Sequence, residues 1–302
     1  MSNGWTAFII VLTLANIAAC WWLIHWTGRR QPGEPGESET TGHVWDTDIK
    51  EYNKPLPRWW LYLFYGSIVF SLIYLALYPG LGSFAGLLEW SQVKSYQAEI
   101  QQAEATYGPL YAGYGQIEIT ELAKNAEAMR TAGRLFGNNC AGCHGSDGRG
   151  APGFPNLTDQ AWLYGGDPQT IQTSILNGRN GVMPALGTAL GPDGLEAVVN
   201  YVYGLNGRTP AKPELIEQGK QRFLMFCTGC HGLEAKGNPI MGAPDLTDSD
   251  WLYGSSTEAL EQTLMQGRQG RMPGHQERLG VDRVHLLAAY VYGLPNQRSA
   301  PP

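Results

Sequence analysis

The chain is 302 residues long, and 27 acidic side chains against 21 lysines and arginines leave it a formal net charge of −6. Six of the acids and five of the bases fall in 29–58, so from residue 79 onward the balance is 21 to 16 and the net charge is −5. That surplus gives nucleic acid binding no support; an acidic surface serves solubility and equally draws in a basic protein partner with a salt-dependent encounter rate.

Trp5 to Trp26 runs 22 residues, and Trp59 to Tyr78 runs 20, without an Asp, Glu, Lys or Arg. As helices both are long enough to cross about 30 Å of hydrocarbon. Their ends carry Trp5, Trp21, Trp22, Trp26, Trp59, Trp60 and Tyr78, the side chains that favour membrane interfaces. No basic residue precedes the first run and no clear small-x-small site follows it, so an uncleaved anchor is expected rather than a signal peptide. Arg29, Arg30, Lys50, Lys54 and Arg58 all lie between the runs, which places the loop 27–58 in the cytoplasm and both termini outside. Within the spans, Asn16 suits a hydrogen bond to a partner helix, Gly66, Ser67 and Ser71 give a small-residue face, Cys20 is a lipid-facing or packing residue, and His25 reaches the headgroups. Residues 31–41, rich in Pro, Gly, Glu and Thr, read as a flexible polar tract. Residues 89–111 read as an amphipathic helix that ends before Gly108-Pro109.

Farther along, Cys140-Ala141-Gly142-Cys143-His144 recurs 87 residues later as Cys227-Thr228-Gly229-Cys230-His231. Two thiols one helical turn apart can add across the two vinyl groups of one porphyrin, while the adjoining imidazole reaches the iron. A thioredoxin-like CxxC or a four-cysteine zinc site explains neither the His after both pairs nor the Met-Pro about 40 residues downstream of each. The repeat extends well beyond the cysteines. Pro155-Asn156-Leu157-Thr158-Asp159 matches Pro244-Asp245-Leu246-Thr247-Asp248, Trp162-Leu163-Tyr164-Gly165 matches Trp251-Leu252-Tyr253-Gly254, and Met183-Pro184 matches Met272-Pro273. Asn177-Gly178-Arg179 matches Gln266-Gly267-Arg268, and Tyr201 to Leu205 matches Tyr290 to Leu294. The offset grows from 87 to 89 between His and Pro, so the second copy has two extra residues there. A period near 90 is that of a duplicated domain, joined here by a linker too short to let the copies separate by more than about 30 Å.

Each copy resembles a class I cytochrome c, over 131–205 and 217–294. The resemblance implies two covalently bound haems c attached through Cys140, Cys143, Cys227 and Cys230. It makes His144 and His231 proximal ligands, Met183 and Met272 distal ligands, and Pro155 and Pro244 the carbonyl acceptors of the His ring N–H groups. It also implies that the last helix of each domain packs on its first. Arg179 and Arg268 become candidates to pair haem propionates or are solvated surface residues, and Trp162, Trp251, Tyr201 and Tyr290 become pocket packing. Met241, His275 and His285 are weaker alternative ligands, and whether each Met serves its own repeat or the other is open at this level.

The stretches Glu51-Tyr52-Asn53-Lys54-Pro55-Leu56-Pro57-Arg58-Trp59-Trp60 and Leu77-Tyr78-Pro79-Gly80-Leu81-Gly82, with Gly42-His43 and the two haem motifs, closely resemble subunit III of cbb3-type cytochrome c oxidase over essentially the whole chain. Many members have only the second span; this chain looks like the two-span form. The expected architecture is mainly α: two N-terminal transmembrane helices followed by two tandem class I cytochrome c domains. In segments this is a first transmembrane helix 1–28, a cytoplasmic loop 29–58, a second transmembrane helix 59–79, a periplasmic connector 80–129, a first cytochrome c domain 130–206, a linker 207–216 and a second domain 217–302. The resemblance implies a two-pass protein of the bacterial inner membrane with its haem domains in the periplasm. Electrons would come from a cytochrome c donor and leave to the monohaem subunit and the catalytic haem-copper subunit, where oxygen is reduced to water with proton pumping. The chain is then no enzyme on its own. A membrane-tethered dihaem shuttle to another respiratory enzyme and a dihaem peroxidase are the competing readings, the latter needing an iron with an open site.

Overall fold

The computed structural model describes residues 1–30, 32–36 and 38–299. Gln31 and Glu37 of the polar tract 31–41, and the last three residues of the second domain, lie outside the described residues. The chain forms two compact units, Met1–Ala105 and Thr106 onward.

In the first unit α1 (Asn3–Thr27) and α2 (Arg58–Leu77) are apolar along their length and bury no residue within the protein. A helix apolar all round and uncovered by its own chain needs a hydrocarbon environment, and these two form a membrane anchor. They pack on each other, with Thr6 and Ser83 joined through their hydroxyls at 2.9 Å. Pro55 and Pro57 hold the approach to α2 extended. Past its end, Gly86 at φ +76° lets the chain fold back, so that the amides of Leu87 and Leu88 cap the carbonyls of Ala76 and Leu77.

The loop between the helices, expected to be a cytoplasmic loop with a flexible polar tract at 31–41, holds a hairpin. Strands β1 (Thr40–Trp45) and β2 (Ile49–Tyr52) pair antiparallel, with Trp45 opposite Ile49, through a turn in which Asp46 and Thr47 both take positive φ. Asp tolerates that conformation through local side-chain bonding, a weaker signal than the usual Asn-Gly.

Helix α3 (Gln92–Gly115) corrects a second expectation, because it runs through Gly108-Pro109 instead of stopping there. Pro109 deprives only the Ala105 carbonyl of an internal partner, and both residues are exposed, so water satisfies it. The extra turn carries Tyr114 into a core.

That core belongs to the second unit, whose helices are α4 (Ile119–Leu122), α5 (Ala126–Asn139), α6 (Ala141–His144), α7 (Pro168–Asn177), α8 (Gly187–Gly204), α9 (Ile216–Phe226), α10 (Thr228–His231), α11 (Thr257–Gln266) and α12 (Gln276–Ser299). Strands β3 (Arg179–Met183) and β4 (Arg268–Met272) complete it. Ala128, Ala132 and Phe136 form the buried stripe of α5 at helical spacing. They meet α12, with Leu286, Leu287 and Ala289 fully buried and Tyr290 5.3 Å from Phe136 between ring centroids. In the second core Phe223 of α9 meets Val198 and Val199 of α8, with Tyr201 5.4 Å away. The last helix of each repeat therefore packs on the first helix of the other repeat, not its own as expected. A connection of about ten residues closes α8 against α9 as a helical hairpin at little entropic cost, which leaves α12 to cover α5. Ile119 and Leu122, ahead of the expected domain start at 130, are buried in the first core as well.

Helix starts in both repeats are capped in the same way: Asp167 Oδ1 accepts from Thr170 N at 2.9 Å before α7, and Ser256 Oγ from Ala259 N at 3.2 Å before α11. The Thr170 hydroxyl and amide hold the Asp167 carboxyl below its ordinary pKa, so its stabilisation is present above the unfolded value and lost as pH falls through the folded one. Asp167→Ala is expected to cost about 1 kcal/mol in chemical unfolding at neutral pH, with the difference from wild type shrinking below about pH 4.

Candidate functional site: paired CxxCH pockets

Each CxxCH motif is one helical turn added to the end of a packed helix. The amides of Cys143 and His144 donate to Cys140 O at 3.1 and 3.0 Å, and those of Cys230 and His231 to Cys227 O at 3.2 and 2.9 Å. Phe136 and Phe223, fully buried one turn earlier, lock the helices and hence the cysteines. Burial pushes the Cys140 and Cys227 thiols up to about 11, partly offset at Cys140 by Arg278. His144 Nδ1 lies 3.0 Å from Pro155 O and His231 Nδ1 3.0 Å from Pro244 O. A carbonyl only accepts, so Nδ1 carries the proton in each ring and Nε2 keeps its lone pair. Burial lowers the His231 pKa, against the opposing effect of the Pro244 bond, and keeps the imidazole neutral as a ligand must be.

A cavity of about 1250 Å³ is lined by all twelve residues singled out in the sequence: Cys140, Cys143, His144, Pro155, Arg179 and Met183, and Cys227, Cys230, His231, Pro244, Arg268 and Met272. Their grouping crosses the repeats. Met272 packs into the core with Cys140, Phe136 and Trp162, whereas Met183 packs into the core with Cys227, Phe223 and Trp251. The crossing is made by β3 and β4, paired antiparallel with Arg179 opposite Met272, Gly181 opposite Gly270 and Met183 opposite Arg268. Each strand starts at one pocket and ends at the other, roughly 13 Å away at 3.3 Å per residue. Gly178 and Gly267 precede the strands at φ +74° and +72°. A Cβ on Gly178 would stand 2.3 Å from Met272 O, and one on Gly267 2.5 Å from Met183 O, so only glycine admits the other repeat's Met-Pro backbone.

Arg179 and Arg268 are half-buried and held identically. Arg179 Nε donates to Ser174 Oγ with the guanidinium 4.6 Å from the Tyr164 ring centroid; Arg268 Nε donates to Thr263 Oγ1 with Tyr253 at 4.5 Å. Arg268 Nη2 also makes a long bond to Gln262 Oε1 at 3.4 Å, without a counterpart at Arg179 among the described residues; the remaining guanidinium nitrogens can serve an anion in the cavity. The tyrosines and hydroxyls that pose them were missed as site residues, although the matched Trp-Leu-Tyr-Gly blocks carried the signal. Trp162 and Trp251 pack the pockets as expected. Met241 is exposed on the longer second loop and reaches only the cavity wall. His285 is a packing residue, with Nε2 donating to Ile117 O at 2.7 Å and Nδ1 accepting from Gln172 Nε2. His275, expected at the surface or in packing, lines the cavity, and burial with the nearby Arg278 and His144 lowers its pKa.

Thiol pairs beside fixed imidazoles, thioethers across a largely apolar cavity and poised guanidiniums together suit an iron porphyrin held by thioether links. With the two apolar helices, this is the build of a membrane-anchored c-type cytochrome. Comparison with known proteins agrees: residues 127–202 and 214–291 match the family described as cytochrome c oxidase, cbb3-type, subunit III, and residues 37–85 match the N-terminal domain of cytochrome oxidase-cbb3, FixP. The cbb3-type cytochrome c oxidase subunit CcoP of Rubrivivax gelatinosus is 41% identical over 294 residues, covering 97% of this chain and 95% of that relative. FixP subunits of Bradyrhizobium diazoefficiens and Sinorhizobium medicae are 40% and 38% identical over 273 residues, covering 84% and 85% of this chain and 94% of each relative. The chain belongs to the subunit III family of cbb3-type cytochrome c oxidases.

Gly178→Ala and Gly267→Ala are expected to destabilise the second unit by about 1–3 kcal/mol each, far beyond an ordinary surface Gly→Ala change, in thermal unfolding. Gly113→Ala, at a position with open space around it, serves as the control and is expected to be neutral or stabilising.

Proposed function

We propose that this electron-transfer subunit of a cbb3-type oxidase carries two haems c, one that would be held by Cys140, Cys143, His144 and Met272 and one by Cys227, Cys230, His231 and Met183. The observation that carries the pairing is the placement of each Met in the core of the other repeat's cysteines. Haem c bound there supplies a one-electron couple whose potential a thioether ligand raises. The chain's own residues do the rest. Pro155 and Pro244 hold the imidazole tautomers, Arg179 and Arg268 offer paired donors to the propionates, and Trp162 and Trp251 keep water from the pockets. With Met272 and Met183 as ligands, neither site would be left open for peroxide or oxygen chemistry.

In the membrane, the five basic residues between the spans support a cytoplasmic hairpin and a periplasmic second unit. The acidic outer unit suits a basic cytochrome c donor, and α2 with the Asn53–Trp60 element suits contact with the catalytic or monohaem subunit.

In a chain whose first site is silenced by Cys140→Ala and Cys143→Ala, Met183→Ala is expected to turn the remaining haem high-spin and open to carbon monoxide, whereas Met272→Ala leaves it low-spin. The reverse pattern would return each Met to its own repeat; an unchanged spectrum in both would point to His275, His285 or Met241. For topology, a reporter active only outside the membrane should be active after Pro302 and silent when inserted near Ser38; activity at Ser38 would invert the orientation.

A further inference from the structure

Arg208, in the connection after α8, takes no part in the site described above, yet its surroundings are specialised. The guanidinium is sandwiched 4.0 Å from the Tyr203 ring centroid and 5.2 Å from that of Trp251. Nε donates to Asn206 Oδ1 and Nη1 to the Ser255 carbonyl, while Asn206 is itself tied through Nδ2 to Asp248 O. Nη2 is fully enclosed and has no acceptor, the one such buried side-chain polar atom among the described residues. No carboxylate forms an ion pair with Arg208 among them.

A guanidinium cannot shed its proton at any pH the protein meets. Arg208 is half-buried, and enclosing part of a guanidinium without a counter-charge carries a cost, so such an arrangement persists where something else gains from it. The neighbour that gains is on the far side of one indole. Trp251, which stacks on Arg208, also lines the cavity and packs into the core that holds Cys227 and Met183. Arg208 itself does not reach the cavity wall, so it is neither a ligand nor a direct partner of a propionate, the part Arg268 is placed to play.

We infer that Arg208 is an electrostatic setting residue for the second site: its unpaired charge, held one indole away from the pocket, favours the electron on that site and keeps its potential high. This rests on the reading that the second CxxCH carries haem. At a separation of about 10 Å and an effective dielectric constant near 20, one charge changes the ratio of reduced to oxidised site roughly tenfold at fixed potential. Because the guanidinium is half-buried with Nη2 enclosed, salt screens the effect less than that of a fully exposed arginine.

The test is a redox titration of the purified full chain, after haem counting. A wild-type chain with a single haem would sink the haem reading itself before any variant is measured. Arg208→Met keeps bulk and loses charge; Arg208→Lys keeps charge and loses the fork and its bonds. The Met variant is expected to lower the reduced-to-oxidised ratio of one haem roughly tenfold, with both spectra still low-spin and the other haem unmoved. The Lys variant should retain most of the wild-type ratio. If the Met variant fails to load both haems, Arg208→Gln is read in its place. An unshifted titration, or equal shifts in the Lys and uncharged variants, would reduce Arg208 to a clamp between the linker and the Trp251–Ser255 loop and overturn the inference.

Discussion

The second unit depends on a close backbone approach made twice. Gly178 and Gly267, bare of Cβ, let the chain after each Met pass within van der Waals limits of the other repeat, and the five-residue ribbon between them carries each Met from its own repeat into the opposite pocket. With that ribbon paired and the short connection closing α8 on α9, α12 covers α5 and the two hydrophobic cores form. The pockets are thereby held at a fixed, short separation by paired backbone rather than by a tether.

Within each pocket the positioning is hierarchical. A buried Phe anchors the helix, the helix presents the thiols, and a proline carbonyl fixes which ring nitrogen faces the cavity. Tyrosine and a hydroxyl pose the arginine. None of these supports is charged, so little of the geometry depends on salt or pH. The exceptions are asymmetric: His231 is buried, while His144 is only half-buried, and the longer loop with Met241 occurs in the second repeat alone. The duplicated domains have thus diverged in burial and surroundings while keeping their supports.

The first unit follows a different logic. Its helices have almost nothing to hold within the chain, and their exposed apolar faces call for a hydrocarbon surrounding. The exposed hairpin of β1 and β2 immediately precedes α2, within the stretch that matches the family's N-terminal domain.

Much of this was legible before any coordinates. The CxxCH pairs, the repeated Met-Pro pairs and the two spans follow from local spacing and composition, because covalent attachment chemistry and membrane thickness impose them within a few residues; the parts of Pro155, Pro244, Arg179 and Arg268 came from the resemblance to class I cytochromes c. The hairpin was missed because its turn uses Asp and Thr where Asn and Gly are usual, and the end of α3 was misplaced because an exposed proline costs a single hydrogen bond, less than burying Tyr114 returns. The assignment of each Met to a pocket lay beyond the sequence for a more general reason. The two repeats are nearly alike, and the linker permits either connection, so local pattern has no preference between them. Only contacts between residues far apart in the chain, Gly178 with Met272, Gly267 with Met183, Tyr290 with Phe136 and Tyr201 with Phe223, separate the crossed arrangement from the uncrossed one.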